Sequence, residues 1–267
     1  MLVTEYHLDD LLYLMARLRD PQSGCPWDIK QDYASIAPST LEEAYEVVDA
    51  IEKEDFAHLK EELGDLLFQV IFYSQIGREE GRFTFDGIVS GLVAKLIRRH
   101  PHVFPDGSLH SRVDSRHALP DDVKARWEII KQQERAEKGA QGALADVPLN
   151  LPALSRAAKL QKRAAVVGFD WEDIQGPIAK VREELLEVEE AIQAGDRAAI
   201  EEELGDLLFA AVNISRFLKL DPEQALRRAN QKFEARFGYM EANVSKTMED
   251  AGMDELNRLW DEAKQAL

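Results

Sequence analysis

Apolar residues recur at helical spacing along most of the chain. Steps of three and four residues separate the apolar positions of an early segment and of a longer one further on: Leu8, Leu11, Leu12, Met15 and Leu18, then Leu59, Leu63, Leu66, Leu67, Val70 and Ile71. Such spacing is typical of amphipathic helices. Alternating apolar and polar runs between turn residues, which would predict strands, are scarce. The pattern therefore predicts an all-α fold.

Segments rich in turn-forming residues divide the chain. They cover residues 20–26, 104–122 and 139–152, where Pro, Gly, Ser and Asp interrupt the helical spacing. We expect an N-terminal helical domain at 1–115, a linker with one helix around Trp127 at 116–150, and a C-terminal helical domain at 151–267.

The two predicted domains share an internal repeat. Residues 40–68 align without a gap onto residues 181–209 at a constant offset of 141, with 16 identities in 29 positions. Unrelated helices of this composition would share roughly two or three. The chain is therefore an internal duplication, as a fixed offset indicates.

Each copy carries the pattern EExxE followed by ExxD. Four acids recur in each: Glu43, Glu46, Glu62 and Asp65 in copy one, and Glu184, Glu187, Glu203 and Asp206 in copy two. Residues three apart on a helix share a face. Gly195 and Asp196 predict a turn between two antiparallel helices, with Glu54 and Asp55 at the matching place. In such a hairpin the four acids converge at one level, about 12 Å from the turn.

The acids interrupt an apolar stripe, which favours a metal site. Glu62 lies between Leu59 and Leu66, and Glu203 between Ile200 and Leu207. Carboxylates grouped in a partly buried place repel one another unless cations compensate. Oxygen ligands favour Mg²⁺, or Mn²⁺, over zinc. The alternative is a solvated acidic face, which is the ordinary interpretation of a single Glu-rich helix. Duplication and level spacing favour the metal.

Composition and charge restrict the kinds of molecule that the chain is expected to bind. Lys and Arg total 33 against 50 for Asp and Glu, a formal charge of −17, so we expect neither nucleic acid nor a membrane surface as a partner. The first residues lack signal-peptide features, and no run approaches the ~20 apolar residues of a membrane span. One cysteine, Cys25, fits a reducing compartment. We expect a cytoplasmic protein.

A polyphosphate substrate would need cations near the acids. Lys232 and Arg236 are candidates in the C-terminal half and Lys95 with Arg99 in the N-terminal half, although such pairs also occur as ordinary surface charge.

Further candidates differ between the copies. Asn213 and Asn230 offer polar contacts in copy two, where copy one has Phe72 and Val93, so the two sites are expected to differ in substrate handling. Trp260 and Trp171 are candidates for stacking on a base, or else belong to a core or an interface.

Motifs along nearly the whole chain resemble the two-domain bacterial MazG proteins, which are all-α nucleoside triphosphate pyrophosphohydrolases. They are MARLRDPQSGCPWD at 15–28, both acidic segments, KLIRRHPHVF at 95–104, LPALSRAAKLQKRAA at 151–165, GFDW at 168–171 and NQKFEARF at 230–237. The resemblance implies four-helix bundles completed by two chains, and hence a homodimer. It also implies broad use of NTPs and a C-terminal half that is active while the N-terminal half can be silent.

The same resemblance implies roles for residues. Glu184, Glu187, Glu203 and Asp206 would bind Mg²⁺, with Glu43, Glu46, Glu62 and Asp65 as their N-terminal equivalents, and Lys232, Arg236 and Trp260 would contact nucleotide. Lys180 is a further candidate for substrate binding. Metal would offset charge in an in-line displacement at the α-phosphorus, with pyrophosphate leaving. Glu183, Glu184 or Glu187 would orient the water, and the residues do not choose among them.

Two other hypotheses compete. A di-iron carboxylate bundle needs Glu-x-x-His, but no histidine has Glu three residues before it, and copy two contains no histidine. A non-catalytic protein that senses metal or nucleotide would use the same bundle for dimerisation. The complete set of acids with a basic pair favours an enzyme over such a sensing protein. Turnover of NTP would distinguish the enzyme from the sensing protein.

Overall fold

The computed structural model describes residues 5–112 and 142–267, together with Trp127, Ile130, Lys131, Gln133 and Glu134. Within these residues the regular structure is helical and contains no strand. The predicted all-α fold is confirmed. The five residues described between the two long ranges are all helical, in agreement with a helix around Trp127. Most of the rest of the predicted linker lies outside the described residues.

The chain divides into two compact units, Met1–Gln132 and Gln133–Leu267. The first contains α1 (Leu8–Leu18), α2 (Pro26–Lys30), α3 (Tyr33–Glu52), α4 (Phe56–Glu79) and α5 (Phe85–Arg99). The second contains α6 (Ala153–Val166), α7 (Gln175–Ala194), α8 (Arg197–Phe217), α9 (Pro222–Asn243) and α10 (Met253–Ala266). The domain boundary predicted at residue 115 lies outside the described residues, and the predicted domain limits stay predictions.

The two copies of the repeat form helical hairpins, α3 with α4 and α7 with α8, and these pairs have the most extensive packing in their units. Gly195 ends α7 in the left-handed conformation, with φ of 69°, and the Asp196 side chain caps α8 by accepting hydrogen bonds from the backbone of Ala198 and Ala199. In copy one, Glu54 takes the same conformation and Asp55 caps α4. Both predicted turns are confirmed.

The hairpins are covered differently in the two units. In the first, α1 and α5 pack against α4; in the second, α6 packs against α8 and α10 packs against α9. The core of the first unit consists of large side chains: Met15, Ile36, Ile71, Phe72 and Ile76. Many buried apolar residues of the second are smaller: Ala157, Val188, Ala191, Ala210, Val212 and Ala263. The two units therefore build their cores from side chains of different size.

Each hairpin exposes large apolar side chains. Those of copy one are Leu41, Tyr45, Leu63, Leu67 and Val70, and those of copy two are Leu185, Leu186, Ile192, Leu204, Leu208 and Phe209. Contiguous apolar surface of this kind is usually covered by a partner. None of the described helices is long and apolar enough to cross a membrane.

Candidate metal and nucleotide site

Three of the four predicted acids of copy two meet at the packed face of the α7–α8 hairpin. One carboxylate oxygen from each of Glu184, Glu187 and Glu203 lies within 4.8 Å of the others. Glu184 is only 4% exposed, and its two neighbours are half-buried. Asp206 is exposed and lies outside this group of three, but it lines the same cavity as Glu184. Glu184 and Glu187, three residues apart on α7, lie against Glu203 on α8, whereas the sequence predicted that all four acids converge at one level.

Copy one brings together a different set of three. Oxygens of Glu43, Glu62 and Asp65 lie within 4.8 Å of one another, whereas Glu46 is exposed and falls outside the group. His58 Nε2 lies 2.7 Å from Glu62 Oε1, one turn away on α4. The equivalent of His58 in copy two is Ala199. In copy one, His58 therefore pairs with an oxygen of Glu62. The equivalent acid of copy two, Glu203, has no histidine at the matching position.

Crowding of carboxylates raises pKa values in both groups. The Glu187 pKa is raised by a hydrogen bond with Glu184, by burial and by the Glu184 charge. The Glu43 pKa is raised by burial and then by the charges of Asp65 and Glu46, and the Glu62 pKa by burial and the charge of Glu46. A cation placed among carboxylates that are crowded in this way favours their charged forms. Clustered oxygen donors, one of them deeply buried, fit a hard divalent ion such as Mg²⁺ or Mn²⁺.

Lys180 offsets part of the negative charge. Its Nζ lies 2.7 Å from Glu183 Oε1 and 2.6 Å from Glu184 Oε1. Hydrogen bonds from Lys180 to these two carboxylates raise the pKa of Lys180, so the side chain stays charged. Glu183 itself is exposed and lies outside the group of three. A cation therefore borders the acidic group at the first turns of α7.

A cavity of about 710 Å³ adjoins the acidic group of copy two. Its lining residues come from the segment before α6, from α6, α7 and α8, and from the loop after α6: Leu144, Leu160, Gln161, Ala164, Phe169, Asp170, Trp171, Lys180, Glu184, Asp206, Phe209, Ala210, Asn213 and Arg216. Aromatic and aliphatic side chains with a few convergent polar groups are typical of a small-molecule site.

Comparison with known proteins assigns the family. The MazG nucleotide pyrophosphohydrolase domain model matches residues 31–104 and 174–239, more than half of the chain and once for each copy of the repeat. The chain belongs to the MazG family. The nucleoside triphosphate pyrophosphohydrolase of Escherichia coli K12 is 52% identical over 262 residues, which cover 96% of this chain and 97% of that protein.

Two other relatives also align with nearly the whole of this chain. The nucleoside triphosphate pyrophosphohydrolase/pyrophosphatase MazG of Thermotoga maritima is 43% identical over 259 residues, covering 96% of this chain and 95% of that one. The Bacillus subtilis protein YabN is 44% identical over 256 residues, which are 94% of this chain and 50% of YabN. The predicted resemblance to two-domain MazG proteins is confirmed.

The two MazG segments include both predicted basic pairs. Lys95 and Arg99 lie on α5, and Lys232 and Arg236 lie on α9. Arg236 stacks over the Trp260 ring at 5.6 Å, and Phe233 contacts the same ring with centroids 5.6 Å apart. Neither the C-terminal pair nor Trp260 nor Asn230 lines the cavity described above. Their nucleotide contacts stay predictions.

Sequence reasoning did not single out some of the cavity residues. Gln161 is on α6, and Asp170 is in the loop that follows it. A signal existed for Gln161, since it falls four residues after Ala157 on the packed face of α6, where a polar residue is unusual. Asn213 and Trp171, which were predicted, do line the cavity.

Proposed function

We propose that this chain hydrolyses nucleoside triphosphates to the monophosphate and pyrophosphate, and that the C-terminal unit is the main site. The enzyme class, nucleoside triphosphate pyrophosphohydrolase, is the one named for the relatives from E. coli and T. maritima. The observation that carries the assignment to the C-terminal unit is the cavity of about 710 Å³ that shares Glu184 with the acidic group.

Metal binding is part of this proposal. Glu184, Glu187 and Glu203, with Asp206 close by on α8, would hold Mg²⁺ or Mn²⁺. When bound, such an ion neutralises charge on phosphate oxygens and lowers the pKa of the attacking water. The chain itself supplies Lys180, which is positioned at the edge of the acidic group to meet phosphate oxygens.

The chain also supplies a proton acceptor. Glu183 accepts a hydrogen bond from Lys180 and lies outside the group of three, so we propose that it orients a water molecule, and Glu184 and Glu187 are the alternatives. Lys232, Arg236 and Trp260 are proposed as further nucleotide contacts from α9 and α10, with Lys95 and Arg99 as the N-terminal equivalents of the basic pair.

The N-terminal unit is proposed to be catalytically silent. At the positions of Ala210 and Asn213, copy one has Gln69 and Phe72, both of which are buried. Because both side chains are larger than their equivalents in copy two, we expect less room beside the N-terminal acidic group. His58 additionally pairs with Glu62 in the N-terminal acidic group. Carboxylates alone, without room for a nucleotide, do not make a catalytic site.

Homodimerisation and broad base specificity complete the proposal. The exposed apolar side chains of both hairpins are the surfaces that a second chain would cover to complete four-helix bundles. Cytoplasmic location and absence of nucleic-acid partners stay predictions from the charge and composition.

A comparison of matched variants tests the function. Purified protein is incubated with Mg²⁺ and a panel of NTPs, and monophosphate plus pyrophosphate are separated from diphosphate plus phosphate. Glu184→Gln and Glu43→Gln change equivalent positions of the two copies. We expect Glu184→Gln to lose at least about 100-fold in kcat and Glu43→Gln to keep wild-type turnover. Diphosphate as a product, or no turnover of any NTP by the wild type, contradicts the proposal, and the second outcome favours a sensing protein.

A further inference from the structure

The acids of the α3–α4 hairpin carry more negative charge than their neighbours offset. The N-terminal acidic group consists of Glu43, Glu62 and Asp65, whose oxygens lie within 4.8 Å of one another. Among the described residues this group makes one ion pair, in which His58 Nε2 lies 2.7 Å from Glu62 Oε1. One histidine offsets at most one of the three negative charges. Carboxylates held this close repel one another unless further positive charge compensates.

In copy two, a lysine supplies part of that compensation. Lys180 Nζ lies 2.6 Å from Glu184 Oε1. The residue of copy one at the same offset of 141 is Ser39, which has no charge. The N-terminal acidic group therefore has the carboxylates of the repeat without the lysine, and a bound cation would supply the missing charge.

A buried amide lies beside the N-terminal acidic group. Gln69 follows Asp65 by one helical turn and Glu62 by two, on the same face of α4. Side chains of a helix lean back over the preceding turn, so the Gln69 amide is carried towards the acids. Its counterpart in copy two, Ala210, lines the cavity that adjoins the acidic group of that copy. This position of the repeat therefore borders the acids in both copies.

The oxygen of that amide has no donor. The Gln69 side chain is only 6% exposed, and its Oε1 has no hydrogen-bond partner among the described residues. A buried acceptor without a donor is unfavourable and is usually satisfied by water or a ligand. Leucine would fill similar space without leaving an acceptor unpaired, so the amide indicates that a donor binds here.

One occupant would satisfy both the unpaired charge and the unpaired oxygen. Mg²⁺ bound by protein carboxylates usually keeps several of its water molecules, and a bound water can donate a hydrogen bond to an oxygen nearby. Oxygen ligands suit such an ion. Asp65 is exposed, so an ion can reach the acids from solvent.

We propose that the N-terminal acidic group binds one hydrated divalent cation, Mg²⁺ or Mn²⁺, as a structural ion, and that Gln69 Oε1 accepts a hydrogen bond from its water shell. The ion joins the two helices of the hairpin, since Glu43 belongs to α3 and both Glu62 and Asp65 belong to α4. It takes no part in the proposed hydrolysis and does not depend on that function. Gln69 is a positioning residue that acts through the water shell.

Mn²⁺ binding tests the site in a full-length chain whose C-terminal acidic group is disabled. This host chain carries Glu184→Gln and Glu187→Gln. Electron paramagnetic resonance measures free Mn²⁺ at about 0.15 M salt, which screens weak binding to exposed acids. We expect about one tightly held Mn²⁺ per chain. Adding Asp65→Asn, which changes an exposed member of the N-terminal acidic group, should abolish this binding.

Two glutamine variants of the host chain test the role of the amide. Gln69→Leu removes the acceptor at similar size and should weaken Mn²⁺ binding about tenfold or more, as loss of an outer-shell partner does. Gln75→Leu is the matched control, because Gln75 is also on α4 but donates to Glu79. Its affinity for Mn²⁺ should stay within about twofold of the host value.

Thermal unfolding separates this role from simple packing. In EDTA, Gln69→Leu should be at least as stable as the host chain, because an unpaired buried acceptor is gone. In Mg²⁺, the host chain should gain stability because the ion binds only the folded state, and Gln69→Leu should gain less. The same unfolding curves show that each variant is folded.

The outcomes are distinct. Absence of saturable Mn²⁺ binding in the host chain, or binding that Asp65→Asn leaves intact, overturns the ion site. Equal Mn²⁺ affinity of Gln69→Leu and the host, or an equal gain of stability in Mg²⁺, overturns the role of Gln69. Failure of the proposed function shows differently, as a wild type that produces no monophosphate and pyrophosphate from any NTP.

Discussion

Arg216 on α8 donates hydrogen bonds to both carboxylate oxygens of Asp170, which lies in the loop after α6. The pair joins two elements that are separated by 46 residues in the chain. Because the contact is bidentate and charge-assisted, it fixes the loop that contributes Phe169 and Trp171 to the cavity wall.

Acid should weaken this contact. The hydrogen bond from Arg216 is the main cause that lowers the pKa of Asp170 below its ordinary value, although burial opposes it. A carboxyl with a lowered folded-state pKa stabilises the fold above its unfolded pKa, near 3.9, and that stability is lost as the pH falls through the folded value. We expect Asp170→Asn to destabilise by about 1 kcal/mol at pH 7, since the partial exposure screens the pair.

The measurement is chemical unfolding of both proteins across pH 3–7. The difference in free energy of unfolding should be constant at the upper end of this range and should shrink below about pH 4. A difference that persists unchanged at pH 3 would mean that packing of the loop, and not the charge of Asp170, is what the variant removes.

Loss of the Lys180 charge should weaken the binding of nucleotide more than the binding of Mg²⁺. Lys180→Met removes the cation beside Glu183 and Glu184 but retains most of the side-chain volume. We expect the KM for ATP to rise about tenfold or more because a phosphate contact is lost. Mg²⁺ affinity without nucleotide should hold or increase, since a competing positive charge is gone.

Steady-state kinetics and Mg²⁺ titration measure the two effects. Arg182→Met is the matched control, because Arg182 is exposed two residues further along α7. If Lys180→Met weakened Mg²⁺ binding and left KM unchanged, Lys180 would serve to shape the acidic group and would not contact phosphate.

Phe72 should matter for stability and little for activity. Its ring is fully buried in the N-terminal core, with the Arg19 guanidinium 5.2 Å from the ring centre. Truncation to alanine leaves a cavity and typically destabilises by about 3–5 kcal/mol. We expect thermal unfolding of the N-terminal unit at a lower temperature, with kcat for ATP unchanged at 25 °C. Loss of kcat in a protein that is still folded would place catalysis in the N-terminal unit.

Substitution of Gly205 should test whether α8 packs against a second chain in a dimer. A Cβ atom added there would meet no described residue of the same chain within 4 Å, although glycine inside a helix is about 1 kcal/mol less favourable than alanine. Our hypothesis is that a helix of a second chain packs closely against this position. We expect Gly205→Ala to shift the protein from dimer towards monomer in sedimentation equilibrium. An unchanged dimer with a higher unfolding temperature would show that no partner packs at this position.

The sequence predicted the hairpins better than it predicted the side chains. Periodicity and the turn at Gly195 and Asp196 set which residues lie level, so the convergence of Glu184, Glu187 and Glu203 could be predicted from numbering alone. Which three of four acids approach most closely depends on local partners. In copy one, His58 pairs with Glu62, and Asp65 takes the third place in the group while Glu46 stays exposed.

Contacts between distant segments were beyond pattern analysis. Gln161 reaches the cavity because α6 packs on α8, and no spacing within α6 announces that partner. The pairing of Asp170 with Arg216 is of the same kind. Trp260 could be identified as a stacking residue, but the sequence did not show that Phe233 and Arg236 would contact its ring.

The contrast between Phe72 and Asn213 at equivalent positions has a wider consequence. A binding pocket and a densely filled core are competing uses of the same space between helices, and a chain with one such hairpin must compromise between them. Duplication removes that conflict. One copy can evolve towards stability without regard to ligands, while the other keeps an opening and tolerates the weaker packing that an opening entails.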